Sequence, residues 1–132
     1  MRRLLDADVL IGALDRSDAH HARARRLLTG WRQRQDAVNI SVVNLSEVLI
    51  APAPDPGRLA TAREAIAALG VEVHVPNEAI GVEAARLRKR HPVSLPDAYC
   101  LATAKHTRSS LASFDHRVLK AARAEGLETA GD

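Results

Sequence analysis

Ser94-Leu95-Pro96-Asp97-Ala98-Tyr99-Cys100-Leu101-Ala102-Thr103-Ala104 reads as a helix that opens on a carboxylate. Pro96 suits the first helical position, where its missing N–H costs nothing, and Asp97 follows near the positive end of the helix dipole. Ala98, Leu101 and Ala102 form a narrow apolar stripe that ends at Lys105. Thr107 to Ser109 interrupt the pattern, and Ser110-Leu111-Ala112-Ser113-Phe114-Asp115 then reads as a short strand ending in a second carboxylate. A helix in an α/β unit runs antiparallel to the strands, so its start lies where the strands finish. Asp97 and Asp115 are therefore expected at one edge of a sheet, the edge at which open parallel sheets bind ligands.

Further segments lead to the same edge. Leu4 and Leu5 form a short apolar strand, central and parallel by its two apolar faces, and it ends at Asp6. Ser17 and Asp18 offer N-caps for a helix with Ala24, Leu27, Leu28 and Trp31 on one face, which Gly30 is expected to end or bend. Val38–Val42 reads as the second strand and passes into Asn44-Leu45-Ser46-Glu47-Val48-Leu49-Ile50, a helix with Glu47 in its first turn. The Pro-rich stretch 51–57 is a helix-breaking loop. Beyond it come a helix with Leu59, Ala62, Ile66 and Leu69 on one face, stopped by Gly70, and a third strand through Val71, Val73 and Val75. A helix carrying Ile80, Ala84 and Leu87 leads to the Asp97 segment. After Asp115 come a helix with Val118, Leu119 and Ala122, then a short edge strand and tail from Gly126. The expectation is α/β: one domain over residues 1–132, a parallel sheet of four to five short strands flanked by helices.

Composition narrows the function. Trp31, Tyr99 and Phe114 are the only Trp, Tyr or Phe residues, which disfavours nucleic-acid modules that work by stacking bases on aromatic side chains. The net charge of +3 is compatible with a polyanionic partner. A single cysteine, Cys100, excludes an internal disulfide and, mid-helix among apolar residues, reads as inert core. No apolar run approaches membrane-spanning length and the start is too short and too soon acidic for a signal peptide, so a cytoplasmic location is expected.

Asp6, Glu47, Asp97 and Asp115 thus arrive at one edge from four segments. Two unit charges about 4 Å apart repel by roughly 4 kcal/mol at an effective dielectric of about 20, so such a set calls for neutralisation. Oxygen ligands without His or Cys alongside suit Mg²⁺ or Mn²⁺ better than Zn²⁺. Hard cations held by carboxylates at a sheet edge point to phosphodiester hydrolysis. Any one of these residues has a plainer reading. Ser94-x-x-Asp97 and Asn44-x-x-Glu47 look like capping boxes, and Asp115 can cap the helix after it. Asp6, directly after an apolar strand, is expected to have no helix it must cap.

Leu4-Leu5-Asp6-Ala7-Asp8-Val9-Leu10-Ile11, Ser46-Glu47-Val48-Leu49, Leu95-Pro96-Asp97-Ala98 through Ala104, and Ser113-Phe114-Asp115 together resemble the motifs of PIN-domain nucleases. They look most like those of the VapC toxins of bacterial toxin–antitoxin pairs. The resemblance spans nearly the whole chain in order, spacing and size. It implies a PIN-like domain over 1–132 and a metal-dependent endoribonuclease that cuts RNA. It also implies a homodimer or toxin–antitoxin hetero-oligomer, silenced by a cognate antitoxin that fills the acidic groove. Carried over by residue, it makes Asp6 and Asp97 the principal Mg²⁺ or Mn²⁺ ligands. Glu47 becomes a ligand or orients the attacking water, and Asp115 closes the set, often through water, with Ser113 as hydroxyl support. Asp8 departs from the many relatives that carry Asn or Ser there. It is read as turn-forming, and as able to bind water on the metal.

Arg86, Arg88, Lys89 and Arg90 could track an RNA backbone across the site, although a solvated helix face is the plainer account. His20 and His21 read as surface residues, and His116 as an exposed helix start. Three rivals remain. Asp6-Ala7-Asp8 after a strand mimics the nucleophile motif of haloacid-dehalogenase-type phosphotransferases, but the chain is short for that fold. A receiver-like Mg²⁺-binding signalling domain would need a phosphoacceptor Asp ending a middle strand, and the strand through Val73 and Val75 ends at Pro76. A non-catalytic PIN-fold module that binds RNA or a partner would not need the full acidic set.

Overall fold

A computed structural model describes residues 1–131. Alternation in β1 (Arg2–Leu5) sends Leu4 to one face of the sheet and Leu5 to the other, and both are fully buried. Around it lie β2 (Ala37–Ser41), β3 (Val71–His74), β4 (Ser110–Ala112) and β5 (Thr129–Ala130). Among the described residues the sheet has five strands in the order β3-β2-β1-β4-β5, and every pairing is parallel. Leu5 stands opposite Ile40 on one side and Ala112 on the other. The chain winds outward from β1 to β3, then crosses back to β4. The switch point therefore falls between β1 and β4, where such sheets open a crevice at their carboxyl ends. A flavodoxin-like receiver orders its strands 2-1-3-4-5, so this topology excludes that rival.

The helices are α1 (Ala7–Leu14), α2 (His21–Gln33), α3 (Val42–Leu49), α4 (Pro56–Ala68), α5 (Glu78–Arg90), α6 (Leu95–Thr107) and α7 (His116–Ala124). Leu5, Ile40 and Ala112 pack with α1 to α4 in one core layer, where Trp31 is 2% exposed. Leu4 and Leu111 pack with α5, α6 and α7 in the other. Ala98, Leu101, Ala102 and Ala104 are fully buried there, so the Ala-rich stripe of α6 lets that helix lie close to the sheet. Among the described residues no helix is long and apolar enough to cross a membrane.

The element boundaries differ from the sequence reading in instructive places. Helix α2 starts at His21 without a side-chain cap, because Asp18 spends its carboxylate on the His20 N–H of the preceding turn. It also runs through Gly30: burial of Leu28 and Trp31 on either side outweighs a glycine penalty of about 1 kcal/mol. Helix α3 begins at Val42, capped by Ser41, so Glu47 lies in its second turn rather than its first. Pro96 is the second residue of α6, not the first. Strand β4 ends at Ala112, three residues before Asp115, which instead caps α7 through the Arg117 N–H.

One charge cluster closes the layer away from the acidic edge. Glu125 accepts from Lys105 Nζ at 2.8 Å, Arg90 at 2.9 Å and His91 Nε2 at 2.7 Å. Lys105 first, then His91, hold its carboxyl down to about 2. A depressed carboxylate stabilises the fold fully above its unfolded value and loses that contribution as pH falls toward the folded one. Glu125→Gln should therefore cost about 1 kcal/mol at neutral pH, since water still reaches the cluster, and less as the pH drops below about 4. Urea unfolding at the two pH values checks this.

Candidate functional site

Asp6 follows β1 and Ser113 follows β4, so the switch point itself joins them. Ser113, fully buried, donates from Oγ to Asp6 Oδ2 at 2.8 Å and accepts there from the Asp115 N–H at 3.0 Å. Asp6 Oδ1 accepts from the Ala7 N–H at 2.8 Å, which makes Asp6 the N-cap of α1. The expectation that Asp6 has no helix to cap is thus corrected: the β1–α1 connection is so tight that the strand's last carboxylate is also the helix cap.

Asp6 is only 4% exposed. Burial first, then the neighbouring Asp8 and Asp97, lift its carboxyl to about 7, against the bonds from Ser113 and Ala7. Asp8, one helical residue further on, takes the Phe114 N–H on Oδ2 at 3.0 Å. Its Oδ1 is buried without a partner among the described residues. Burial and the nearby Asp115 raise Asp8 to about 6. Asp8 Oδ2 therefore ties α1 to the β4–α7 connection, and its other oxygen stays free.

Asp97 enters from α6 in a reciprocal capping box: its N–H donates to Ser94 Oγ and its Oδ2 accepts from the Ser94 N–H, both at 3.2 Å. Glu47 enters from α3. The resemblance of Asn44-x-x-Glu47 to a capping box does not hold, because Asn44 lies inside the helix and bonds the Glu47 side chain instead. Asn44 Nδ2 donates to Glu47 Oε1 and to the Pro96 carbonyl, each at 3.1 Å. The buried thiol of Cys100 lies beneath all of this. Its pKa is pushed well up by burial first and then by Asp6, Asp97, Asp8 and Glu47, so all four carboxylates lie within electrostatic reach of that one thiol. Asp115 is exposed and adjoins it through Asp8.

Among the described residues, no three His, Cys, Asp or Glu side chains already form a group able to hold an ion. The donor set nonetheless fits a hard divalent cation: oxygens only, like-charged, two of the carboxyls raised by burial and by neighbouring acids, and one buried oxygen unpartnered among the described residues.

The sequence profile of the PIN domain matches residues 3–124. The chain belongs to the PIN-domain family. Three solved structures share the fold of this PIN domain. A chain of a toxin–antitoxin complex from Klebsiella pneumoniae is 24% identical, with a TM-score of 0.72 over 89% of each chain. A chain of VapBC2 from Rickettsia felis, bound to a DNA fragment from its promoter, is 14% identical, with a TM-score of 0.74 over 98% of each chain. VapC20 from Mycobacterium tuberculosis, described as a sarcin–ricin-loop-cleaving toxin, is 19% identical, with a TM-score of 0.71 over 90% of this chain and 94% of that one. No curated protein matches the sequence.

The basic residues of the PIN domain are differently placed from one another. Arg86 pairs with Glu83 at 3.5 Å, and Arg90 with Glu83 and Glu125, beside Lys105 in the last turn of α6. Asp97 lies in the first turn of that helix. Eight residues at about 1.5 Å each separate the two ends by roughly 12 Å. Arg88 and Lys89 are exposed. His116 is exposed at the start of α7, as expected.

His20 and His21 are more engaged than surface residues. His20 stacks on Phe114 with ring centroids 4.4 Å apart, and His21 Nδ1 meets the Gly12 carbonyl at 2.8 Å. Arg23 lies over the other contact of that ring, 5.0 Å from its centroid. Neither contact follows from helix periodicity. Phe114 directly before Asp115 was the available signal, since an aromatic ring at an acidic edge needs something to cover it.

Ser113→Ala should cost about 1–3 kcal/mol, because it removes the one side-chain donor to a buried carboxylate. Urea unfolding at about pH 8, where Asp6 is ionised, gives the largest effect.

Proposed function

We propose that this PIN domain is a Mg²⁺- or Mn²⁺-dependent endoribonuclease, and that it acts as the VapC-type toxin of a toxin–antitoxin pair. One observation carries the reading: Asp6, Asp8, Glu47 and Asp97 all lie within electrostatic reach of the buried Cys100 thiol at the switch of a parallel sheet, and burial first, then repulsion from Asp8 and Asp97, lifts Asp6 to about 7. A fold gains nothing from such repulsion, whereas a divalent cation would relieve it. The named activity of a similar fold, VapC20, and the two toxin–antitoxin complexes supply the substrate class and the partner by analogy.

Asp6 and Asp97 would be the principal ligands, with Glu47 as a third ligand or as the group that orients the attacking water. Asp115 would complete the set through water, and Asp8 would add a second water-binding oxygen. The ion, when bound, polarises the scissile phosphate and lowers the pKa of the attacking water. The protein's own contribution is orientation. Ser113 fixes one Asp6 oxygen, leaving the carboxylate no freedom to turn away. The capping box sets the position of Asp97 on α6. Asp6, buried next to Leu5, faces a medium less polarisable than water, which would strengthen its hold on a cation.

A cleft beside Glu47 is where an antitoxin would bind. It is largely apolar, has a volume of about 780 Å³, begins at Glu47 and runs past Ile11, Leu14, Val48 and Ala62. The Pro-rich loop supplies part of its wall through Ala51, Pro52 and Asp55. An antitoxin segment laid in this cleft would reach the acidic edge, in a toxin–antitoxin hetero-oligomer or on a homodimer of the toxin.

The test is incubation of the purified chain with total RNA, with Mg²⁺ or Mn²⁺ and with chelator. Discrete fragments that require the metal are expected. A folded, metal-loaded protein that leaves every RNA intact would favour a PIN-fold module that binds without cutting.

A further inference from the structure

We infer that Asn44 is the positioning residue for Glu47: its amide clamps one oxygen of that carboxylate to the start of α6, leaving the other free for the ion. This rests on the metal-dependent reading above and extends it to a residue outside the acidic set.

The amide is fully buried, and its contacts fix its orientation. Both partners of Nδ2, the Glu47 carboxylate and the Pro96 carbonyl, accept hydrogen bonds only, so the NH₂ group must face them. Pro96 directly precedes Asp97 in the chain. A single side chain therefore ties Glu47 of α3 to the backbone that carries Asp97. Without it, the two carboxylates would stand on separate helices with only repulsion between them. An amide is the one small neutral group that supplies two donors at once.

The remaining atom argues against a purely structural role. Among the described residues, Asn44 Oδ1 is buried with no hydrogen-bond partner. A leucine of similar shape would fill the same space without an orphaned acceptor, so packing alone is better served by an apolar residue. What leucine cannot do is donate to Glu47 and Pro96. The structure thus keeps an unsatisfied oxygen where the two N–H bonds of the same group are required.

The test is a cycle of Mn²⁺ affinities, measured by electron paramagnetic resonance on wild type, Asn44→Leu, Glu47→Gln and the double variant, with circular dichroism to verify folding. Partners that orient a metal ligand typically contribute about 10- to 100-fold in affinity, so Asn44→Leu should weaken Mn²⁺ binding about 10-fold. Because Asn44 acts through Glu47, the double variant should bind no more weakly than Glu47→Gln, to within about 2-fold. Equal affinity in wild type and folded Asn44→Leu overturns the inference and leaves the metal reading intact. Losses that multiply in the double variant also overturn it, since Asn44 would then act independently of Glu47. A wild type that binds no Mn²⁺ overturns the metal reading itself, and this inference with it. Should Asn44→Leu fail to fold, Asn44→Ser, which keeps a single donor, takes its place with the same criteria.

Discussion

Asp6→Asn should make the metal-free protein more stable while abolishing the RNA cleavage proposed for it. The carboxyl of Asp6 is raised from 3.8 to about 7 in the fold, chiefly by burial and by Asp8. A raised carboxyl favours the folded state only while it is protonated. The stability tied to it is full below the unfolded value and is lost as pH rises through the folded one. Over about three pH units this amounts to an upper bound of about 4 kcal/mol, which coupling to Asp8 and relaxation of the site reduce to roughly 2–3 kcal/mol. Asn stays neutral at every pH, keeps an acceptor for the Ala7 N–H and remains within reach of Ser113 Oγ. The gain in unfolding free energy should therefore appear at about pH 8 and shrink toward zero at about pH 4, as urea titrations at the two pH values would read. A loss of stability at pH 8 would show that Asp6 is a structural cap and little more.

Asp97→Asn should reduce RNA cleavage by at least about 100-fold with almost no change in stability. The separation of the two effects follows from the cap. Asp97 accepts from the Ser94 N–H through one oxygen, and asparagine retains an oxygen for that bond. Asp97→Ala removes it and should cost about 1 kcal/mol as well as activity. Thermal unfolding alongside a cleavage assay of the three proteins distinguishes a functional carboxylate from a helix cap. If the Ala and Asn variants lose activity only in proportion to stability, Asp97 is a cap.

The sheet, its parallel sense and the layering were legible in the sequence because β1 and β4 are short apolar runs with carboxylates just beyond them, and because α6 carries its own start signal. Convergence of the acids was legible for the same reason, since strand ends and helix starts share one edge. The boundaries were less so. A carboxylate after a strand can belong to the strand end or cap the next helix, and local sequence does not separate the two; Asp6 and Asp115 are both caps. Ser41, not Asn44, starts α3, and the difference turns Asn44 from a presumed cap into a buried link between α3 and α6. That link joins residues 52 positions apart in the chain, and spacing along a single helix carries no trace of it. The stacking of His20 on Phe114 escaped notice on the same ground.

The most direct measurement is calorimetric titration of the protein with Mn²⁺ at about pH 7 in buffers of different ionisation enthalpy, for wild type and Asp6→Asn. With Asp6 near 7 and Asp8 near 6, the metal-free site holds protons that an ion must displace. Wild type should bind Mn²⁺ and release about half a proton to one proton per ion, and Asp6→Asn should bind far more weakly with little release. Absent binding, or binding that is equally tight and proton-independent in both proteins, would contradict the account of these carboxylates as a metal centre.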